Sequence, residues 1–227
     1  MYDIVFISYQ EPCADENYSA LKARFPMAKR VHGVKGIHQA HIKAAKKCFT
    51  KMFWIVDGDA IIENTFNFDY EVPDHQLDHV HVWRAKNPIN ELEYGYGGVK
   101  LFPRKLTIAM DTSKSDMTTS ISEHFLAMSE TSNITAFNTS PFETWKGAFR
   151  ECCKLSSKVI DRQKDDETNQ RLKVWQTVGA DRLYGEYAIQ GAIHGAKYGE
   201  KHAQSPQDLR RINDFEWLQE QFDAASF

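Results

Sequence analysis

The chain has 227 residues, 42% of them apolar, and its 28 Lys and Arg nearly balance 31 Asp and Glu. That length buries a core without disulfide or metal staples. A charged fraction of 26% with 12% aromatics excludes global disorder and collagen-like sequence. The longest strictly apolar run, Met52 to Val56, is far below the roughly 20 residues that cross a bilayer. No basic-then-apolar leader precedes Asp3, so a soluble, cytoplasmic protein without a membrane partner is expected. The four cysteines make no C-x-x-C pair, which excludes zinc-ribbon and thioredoxin-type sites.

In chain order, Asp3 to Ser8 reads as a buried strand, closed by the turn signal Glu11-Pro12. Asp15 caps a helix through Phe25, which Pro26 ends. Ala28 to His32 is a second strand, and Ile37 to Phe49 an amphipathic helix with Ile37, Ala40 or His41, Ala44 and Cys48 on one stripe. Met52 to Val56 is a strand apolar on both faces, which suits the centre of a parallel sheet. Strand and helix alternating with short joints predicts an α/β, doubly wound, mostly parallel sheet flanked by helices.

Beyond it, Asp78 to Arg84 alternates as a strand, Val80 and Val82 facing one way and His79, His81 and Trp83 the other. Tyr94-Gly-Tyr-Gly-Gly98 is a glycine-rich turn into a strand over Val99 to Phe102, and Asn133 to Phe137 is a further strand. The rest reads as helix, over 141–158, 183–198 and 206–222, with a polar linker over 161–170. Gly191, Gly195 and Gly199 recur every fourth residue within one of these helices. Each costs about 1 kcal/mol relative to Ala, so close backbone packing must offset them. The sheet is the expected neighbour; a helix pair across a dimer is the alternative.

Charge is sorted along the chain. From Leu21 to Lys51 there are nine Lys or Arg and no acid; from Met52 to Trp83 there are seven acids and no Lys or Arg. Such a dipole attracts phosphate to one region and a cation to the next, although two solvated faces sorted by sign give the same pattern.

Asp57-Gly58-Asp59 is the strongest chemical signal. Two carboxylates one residue apart at a strand end converge on a hard divalent cation, and the glycine permits the tight turn. Mg²⁺ or Mn²⁺ held this way completes its shell with phosphates, so a nucleotide diphosphate is the implied ligand. An ordinary polar turn is the structural alternative. The position after the third strand, at the carboxyl end where open α/β sheets bind ligands, favours the metal. A haloacid-dehalogenase-like phosphotransferase also carries Asp-x-Asp, but after its first strand.

The strand Ile4 to Ser8, the basic stretch, the run into Asp57-Gly58-Asp59 and the segment Tyr94 to Gly98 together resemble GT-A type, nucleotide-sugar-dependent glycosyltransferases. Within residues 34–41, 82–88 and 138–145 the chain is similar to a set encoded by tailed bacteriophages, some of which glycosylate hydroxymethylated pyrimidines in DNA. The resemblance implies one GT-A, Rossmann-like domain over 1–227. Residues 1–110 would hold nucleotide sugar and metal, and 111–227 would be acceptor-side and helical.

It implies a nucleotide-diphosphate sugar donor, a UDP-sugar first, Mn²⁺ or Mg²⁺ as cofactor, and modified DNA as an acceptor. Asp57 and Asp59 match the metal pair, with Asp57 also touching the donor. Ser8 and Tyr9 fall where the base and ribose bind. Lys35 and His38, from the basic stretch, and Gly97 and Gly98, from the glycine-rich segment, complete the donor side. Glu143 falls where inverting members place a base, and His194 or His202 supplies the C-terminal histidine of the metal shell. Each has a plainer reading. Ser140-Pro141-Phe142-Glu143 is also a capping box with Pro at the first helical position, and His194 lies within a helix. Trp83, Arg84, Asn87, Tyr94 and Tyr96 either stack on and hydrogen-bond a base or sugar, or fill the core. The competing function is a nucleic-acid-binding module that grips phosphates with residues 21–51 and has no metal requirement.

Overall fold

The computed structural model describes residues 1–95, 97–114, 117–158 and 164–225. Tyr96 and the start of the expected 161–170 linker lie outside the described residues. The elements in order are β1 (Asp3–Ser8), α1 (Ala14–Arg24), β2 (Lys29–His32), α2 (Ile37–Lys46), β3 (Met52–Asp57), β4 (Ala60–Ile62), β5 (Val80–Lys86), β6 (Glu93–Tyr94), β7 (Val99–Pro103), α3 (Arg104–Ile108), α4 (Met117–Ile121), β8 (Phe125–Thr135), α5 (Pro141–Ser157), α6 (Asp165–Thr177), α7 (Gly185–His202), α8 (Pro206–Leu209) and α9 (Phe215–Asp223). The chain is α/β, and no helix among the described residues is long and apolar enough to cross a membrane.

Two compact units divide it. The first comprises Met1–Asn87 with Glu93–Ala136, the second Pro88–Leu92 with Phe137–Phe227. The sequence reading placed one domain over the chain with an internal division near residue 110; β8 carries the first unit on to Ala136.

The first unit holds one sheet of order β2-β1-β3-β7-β5-β8-β4, with β6 paired to β5. Its opening half is as expected, since β1 lies parallel to both β2 and β3. The remainder corrects the expectation of a mostly parallel sheet. β7 runs antiparallel to β3 and β5, and β4 antiparallel to β8, while β5 and β8 are parallel. For β5 and β7 the cause is chain length, because the described residues between them hold only the two-residue β6 and no crossover helix to return the chain in parallel.

β3 shows why it is central. Met52, Trp54 and Val56 join the layer with Leu21 of α1, Phe66 and Phe68, while Phe53 and Ile55 join the opposite layer with Ala44 and Ala45 of α2. Val80 and Val82 lie in that second layer and Trp83 in the first, the alternation read from sequence. The strand expected at 133–137 is longer and ends earlier, at 125–135.

In the second unit, α6 occupies most of the expected linker. Asp165, Asp166 and Glu167 crowd its first turn, where acids favour a helix start, and Trp175 anchors it in the interior. The helix expected over 206–222 is broken, because the Asp214 carboxylate accepts from Trp217 N at 3.2 Å and starts α9 anew.

The glycine stripe of α7 packs on α5, another helix of the same unit, where the sequence reading expected the sheet. A Cβ on Gly191 would lie 2.9 Å from Trp145 Cα, on Gly195 2.7 Å from the Phe149 carbonyl carbon, and on Gly199 3.0 Å from Cys153 Cα. Three glycines four apart thus meet three residues four apart, backbone against backbone. Gly195→Ala is expected to destabilise by about 2–3 kcal/mol, as overpacking does. Denaturant unfolding checks this, and a loss under about 0.5 kcal/mol, the usual size of a surface change, would mean that the helices separate without strain.

Candidate functional site

Because β1 and β3 are parallel, with Phe6 opposite Val56 and Ile7 opposite Asp57, their carboxyl ends open on the same edge of the sheet. Ser8 to Pro12 and Asp57 to Asp59 therefore meet. The turn is tight enough that a Cβ on Gly58 would stand 2.7 Å from Glu11 Oε2 and 3.1 Å from Ser8 Cβ. Glu11 is fixed by Tyr9 N, which donates to Oε2 at 2.7 Å. Gly58 O accepts from Asn17 Nδ2 at 3.0 Å, at the start of α1.

The backbone on either side is held as firmly. Asp57 N donates to Gly98 O at 2.9 Å, and Ala136 N donates to Asp59 O at 2.7 Å. The Asp57 carboxylate receives Lys100 Nζ at 2.6 Å.

Three carboxylates, from Glu11, Asp57 and Asp59, thus share a corner with one ammonium. Burial, and then the charges of Asp57 and Glu11, push the Asp59 carboxyl up to about 7, against the opposing pull of Lys100. Surplus negative charge of this kind is what a divalent cation relieves. Among the described residues no three His, Cys, Asp or Glu side chains form a cage able to hold an ion unaided. Mg²⁺ and Mn²⁺ need no such cage, since one or two carboxylates with phosphates and water suffice. The residues present fit that mode.

The other expected site residues divide in two. Gly97 and Gly98 join Asp57, the first through Lys100, whose Cε would lie 3.3 Å from a Gly97 Cβ, and the second through its carbonyl. Ser8 borders Gly58, but the residue is 2% exposed and its hydroxyl is already bonded to His32 Nδ1 and Arg30 Nε, both at 3.0 Å. That bond ties β1 to β2 and leaves Tyr9, not Ser8, on the partly open side of the turn. Lys35 is exposed, and His38 Nε2 lies 3.2 Å from Ser120 Oγ. Arg84 is exposed on β5, two strands from β3.

Trp83 is core. It is 1% exposed, its ring centroid lies 4.5 Å from that of Trp54, and its indole donates to Glu130 Oε2 at 3.3 Å, so it has no face left for a base or sugar. Tyr94 is buried too.

Two expectations fall in the second unit. Glu143 N donates to Ser140 Oγ at 3.1 Å, which is the helix cap, and its carboxylate pairs with Lys146 at 2.6 Å. His194 Nδ1 accepts the Trp145 indole N–H at 3.2 Å. A neutral imidazole that accepts at Nδ1 carries its proton on Nε2 and has no lone pair for a metal. Burial also lowers its pKa, in keeping with that neutral form. His202 Nδ1 is 3.0 Å from Asp208 Oδ2, and its ring lies against Tyr198.

Glu11 and Lys100 were missed. Glu11 was read only as a turn signal. Lys100 carried a usable signal, a single cation inside the apolar strand Val99-Lys-Leu-Phe102.

Comparison with protein-family models and with curated proteins finds no match for this chain.

The crowding of Asp59 has a measurable consequence. Its folded-state pKa near 7 lies above the unfolded value of about 4, so the native state holds a proton that the unfolded chain releases. Stability therefore falls as pH rises from about 4 to about 7, and stays low above that. Without divalent metal, Asp59→Asn is expected to be the more stable protein at pH 8, by on the order of 1 kcal/mol once solvent screening is allowed for, and equal to wild type near pH 4. Urea unfolding at the two pH values decides it; an equally stable variant at pH 8 would mean that Asp59 is not crowded.

Proposed function

We propose that this protein is a metal-dependent glycosyltransferase that moves a sugar from a nucleoside diphosphate sugar, a UDP-sugar first, to an acceptor hydroxyl. The observation that carries the reading is the Asp57-Gly58-Asp59 corner at the carboxyl end of the buried strand β3, where acid exceeds base. The resemblance of the chain to GT-A enzymes supplies the donor class, and a hydroxymethylated pyrimidine in DNA is the acceptor to try first.

In this reading Asp57 and Asp59 hold Mn²⁺ or Mg²⁺, which would neutralise charge developing on the leaving diphosphate. Gly58 keeps the turn free of a side chain that would displace Glu11. The Gly98 carbonyl sets the height of Asp57, and the Tyr9 N–H holds Glu11. No base is assigned: capping and the Lys146 pair account for Glu143.

The competing reading, a module that grips nucleic acid with residues 21–51, loses ground on contacts. Of the nine cations in that stretch, five already serve the fold. Lys22 Nζ donates to Ala28 O, Arg24 reaches the carbonyls of Glu63, Asn64 and Phe66, and Lys29, Arg30 and Lys51 pair with Asp3, Asp15 and Asp74.

Thermal unfolding with a panel of nucleoside diphosphates and their sugars, with and without Mn²⁺, tests the proposal. A ligand at 100 times its dissociation constant adds about 2.7 kcal/mol, roughly 5–11 °C in a domain of this size. One nucleotide is expected to give such a shift only with Mn²⁺, and the shift to vanish in Asp59→Asn. Salt-dependent DNA binding that persists in Asp59→Asn, with no nucleotide effect, would favour the nucleic-acid module.

A further inference from the structure

Lys100 is the least expected group in the site. It sits in the middle of the sheet on β7, opposite Ile55, and its side chain is 8% exposed. Its stem runs on the same face as Phe102, toward α2, and its head passes beneath the Gly97 turn. An ammonium has three donors. Among the described residues Asp57 Oδ2, at 2.6 Å, is the one hydrogen-bond acceptor that Lys100 Nζ meets. Two N–H groups on a nearly buried cation thus meet no acceptor among the described residues.

Its surroundings do not compete for the charge. The neighbour on α2 is His41, 2% exposed, whose Nδ1 faces Ile37 O at 2.7 Å and whose buried Nε2 has no partner. Burial and then Lys100 itself hold that imidazole neutral, with a pKa pushed down to about 3. The fixed charges that act on the ammonium are therefore the carboxylates of Asp57 and Asp59.

We infer that Lys100 is an exchangeable counter-ion: it holds Asp57 while the site is empty, and gives it up to become a ligand of the diphosphate when a divalent cation takes the carboxylate. The inference rests on the proposed metal and diphosphate role of this corner. Its logic is charge balance. A divalent cation on Asp57 draws on the same carboxylate charge and repels the ammonium bonded to it, so the ammonium is driven toward a new partner, and a flexible lysine stem allows it to move. The nearest new negative charge is the phosphate that arrives with the metal. A lysine serves better here than an arginine, because a compact point charge can change partners without the planar geometry of a guanidinium. Before ligand arrives, the pair neutralises Asp57 and keeps the corner folded.

The test compares wild type with Lys100→Met, which keeps the buried stem and removes the charge, and with Lys100→Arg. Binding of Mn²⁺ alone is read from the loss of the free-ion paramagnetic resonance signal, and binding of Mn²⁺-pyrophosphate by calorimetry. Lys100→Met is expected to bind Mn²⁺ alone about tenfold more tightly and Mn²⁺-pyrophosphate about tenfold more weakly than wild type, each a change of about 1.4 kcal/mol. Lys100→Arg is expected to bind pyrophosphate more nearly like wild type. Unchanged or weaker Mn²⁺ binding in Lys100→Met overturns the inference, as does unchanged pyrophosphate binding.

If Lys100→Met does not fold, wild-type protein labelled with ¹⁵N at lysine Nζ decides the matter. The resonance missing from Lys100→Arg must shift on adding Mg²⁺ and shift again with Mg²⁺-pyrophosphate, and a resonance that ignores Mg²⁺ overturns the exchange. Failure of the broader reading looks different: Lys100 responds to metal and pyrophosphate as expected, yet no nucleoside diphosphate binds. A wild type that takes up neither Mn²⁺ nor Mn²⁺-pyrophosphate removes both.

Discussion

The contact between Lys100 and Asp57 organises the first unit's candidate site. It joins β7 to the end of β3, and the backbone bond from Asp57 N to Gly98 O reinforces it from the other side. Without a cation there, the corner would hold Glu11, Asp57 and Asp59 with no compensating charge. Like charges crowded at a half-exposed corner repel one another. One ammonium balances one carboxylate and leaves the remainder in excess. The corner therefore folds with acid in excess of base.

Proteins commonly accept such local instability where function needs it. Here the surroundings are built to contain it. β1 and β3 on one side and the residue after β8 on the other fix the turn by backbone bonds, so the carboxylates repel one another without moving apart. Gly58 belongs to the same arrangement, since a side chain there would push Glu11 aside and remove one of the charges that, after burial and Asp57, raise Asp59.

Much of this was legible in sequence, for identifiable reasons. Periodicity and turn residues locate β1, α1, β2, α2 and β3, because each buries one face or both against a neighbour nearby in the chain. The acidic motif is legible because two carboxylates follow an apolar run. What escaped depends on distant pairing. The direction of β7 and the length of β8 follow from which strands they join, and β8 keeps a mixed, half-exposed pattern that no local rule reads as eleven residues of strand. Glu11 and Lys100 are separated from Asp57 by 46 and 43 positions and meet it only through the sheet. The α7 glycines were read as demanding close packing, which is right, but α5 as the partner is tertiary information.

Trp83 and His194 show why aromatic and imidazole side chains were overestimated as ligands from sequence. Each has a polar nitrogen on a largely apolar ring, so each can be buried once that nitrogen finds one partner. Glu130 supplies it for Trp83, and the Trp145 indole supplies it for His194. Carboxylates are different. An ionised carboxylate has about four acceptor positions and a full charge, and a neighbouring N–H or two does not cancel it. Where Asp57 and Asp59 share the single ammonium of Lys100, with Glu11 beside them, carboxylate exceeds cation, and a hydrogen bond or two does not offset the excess.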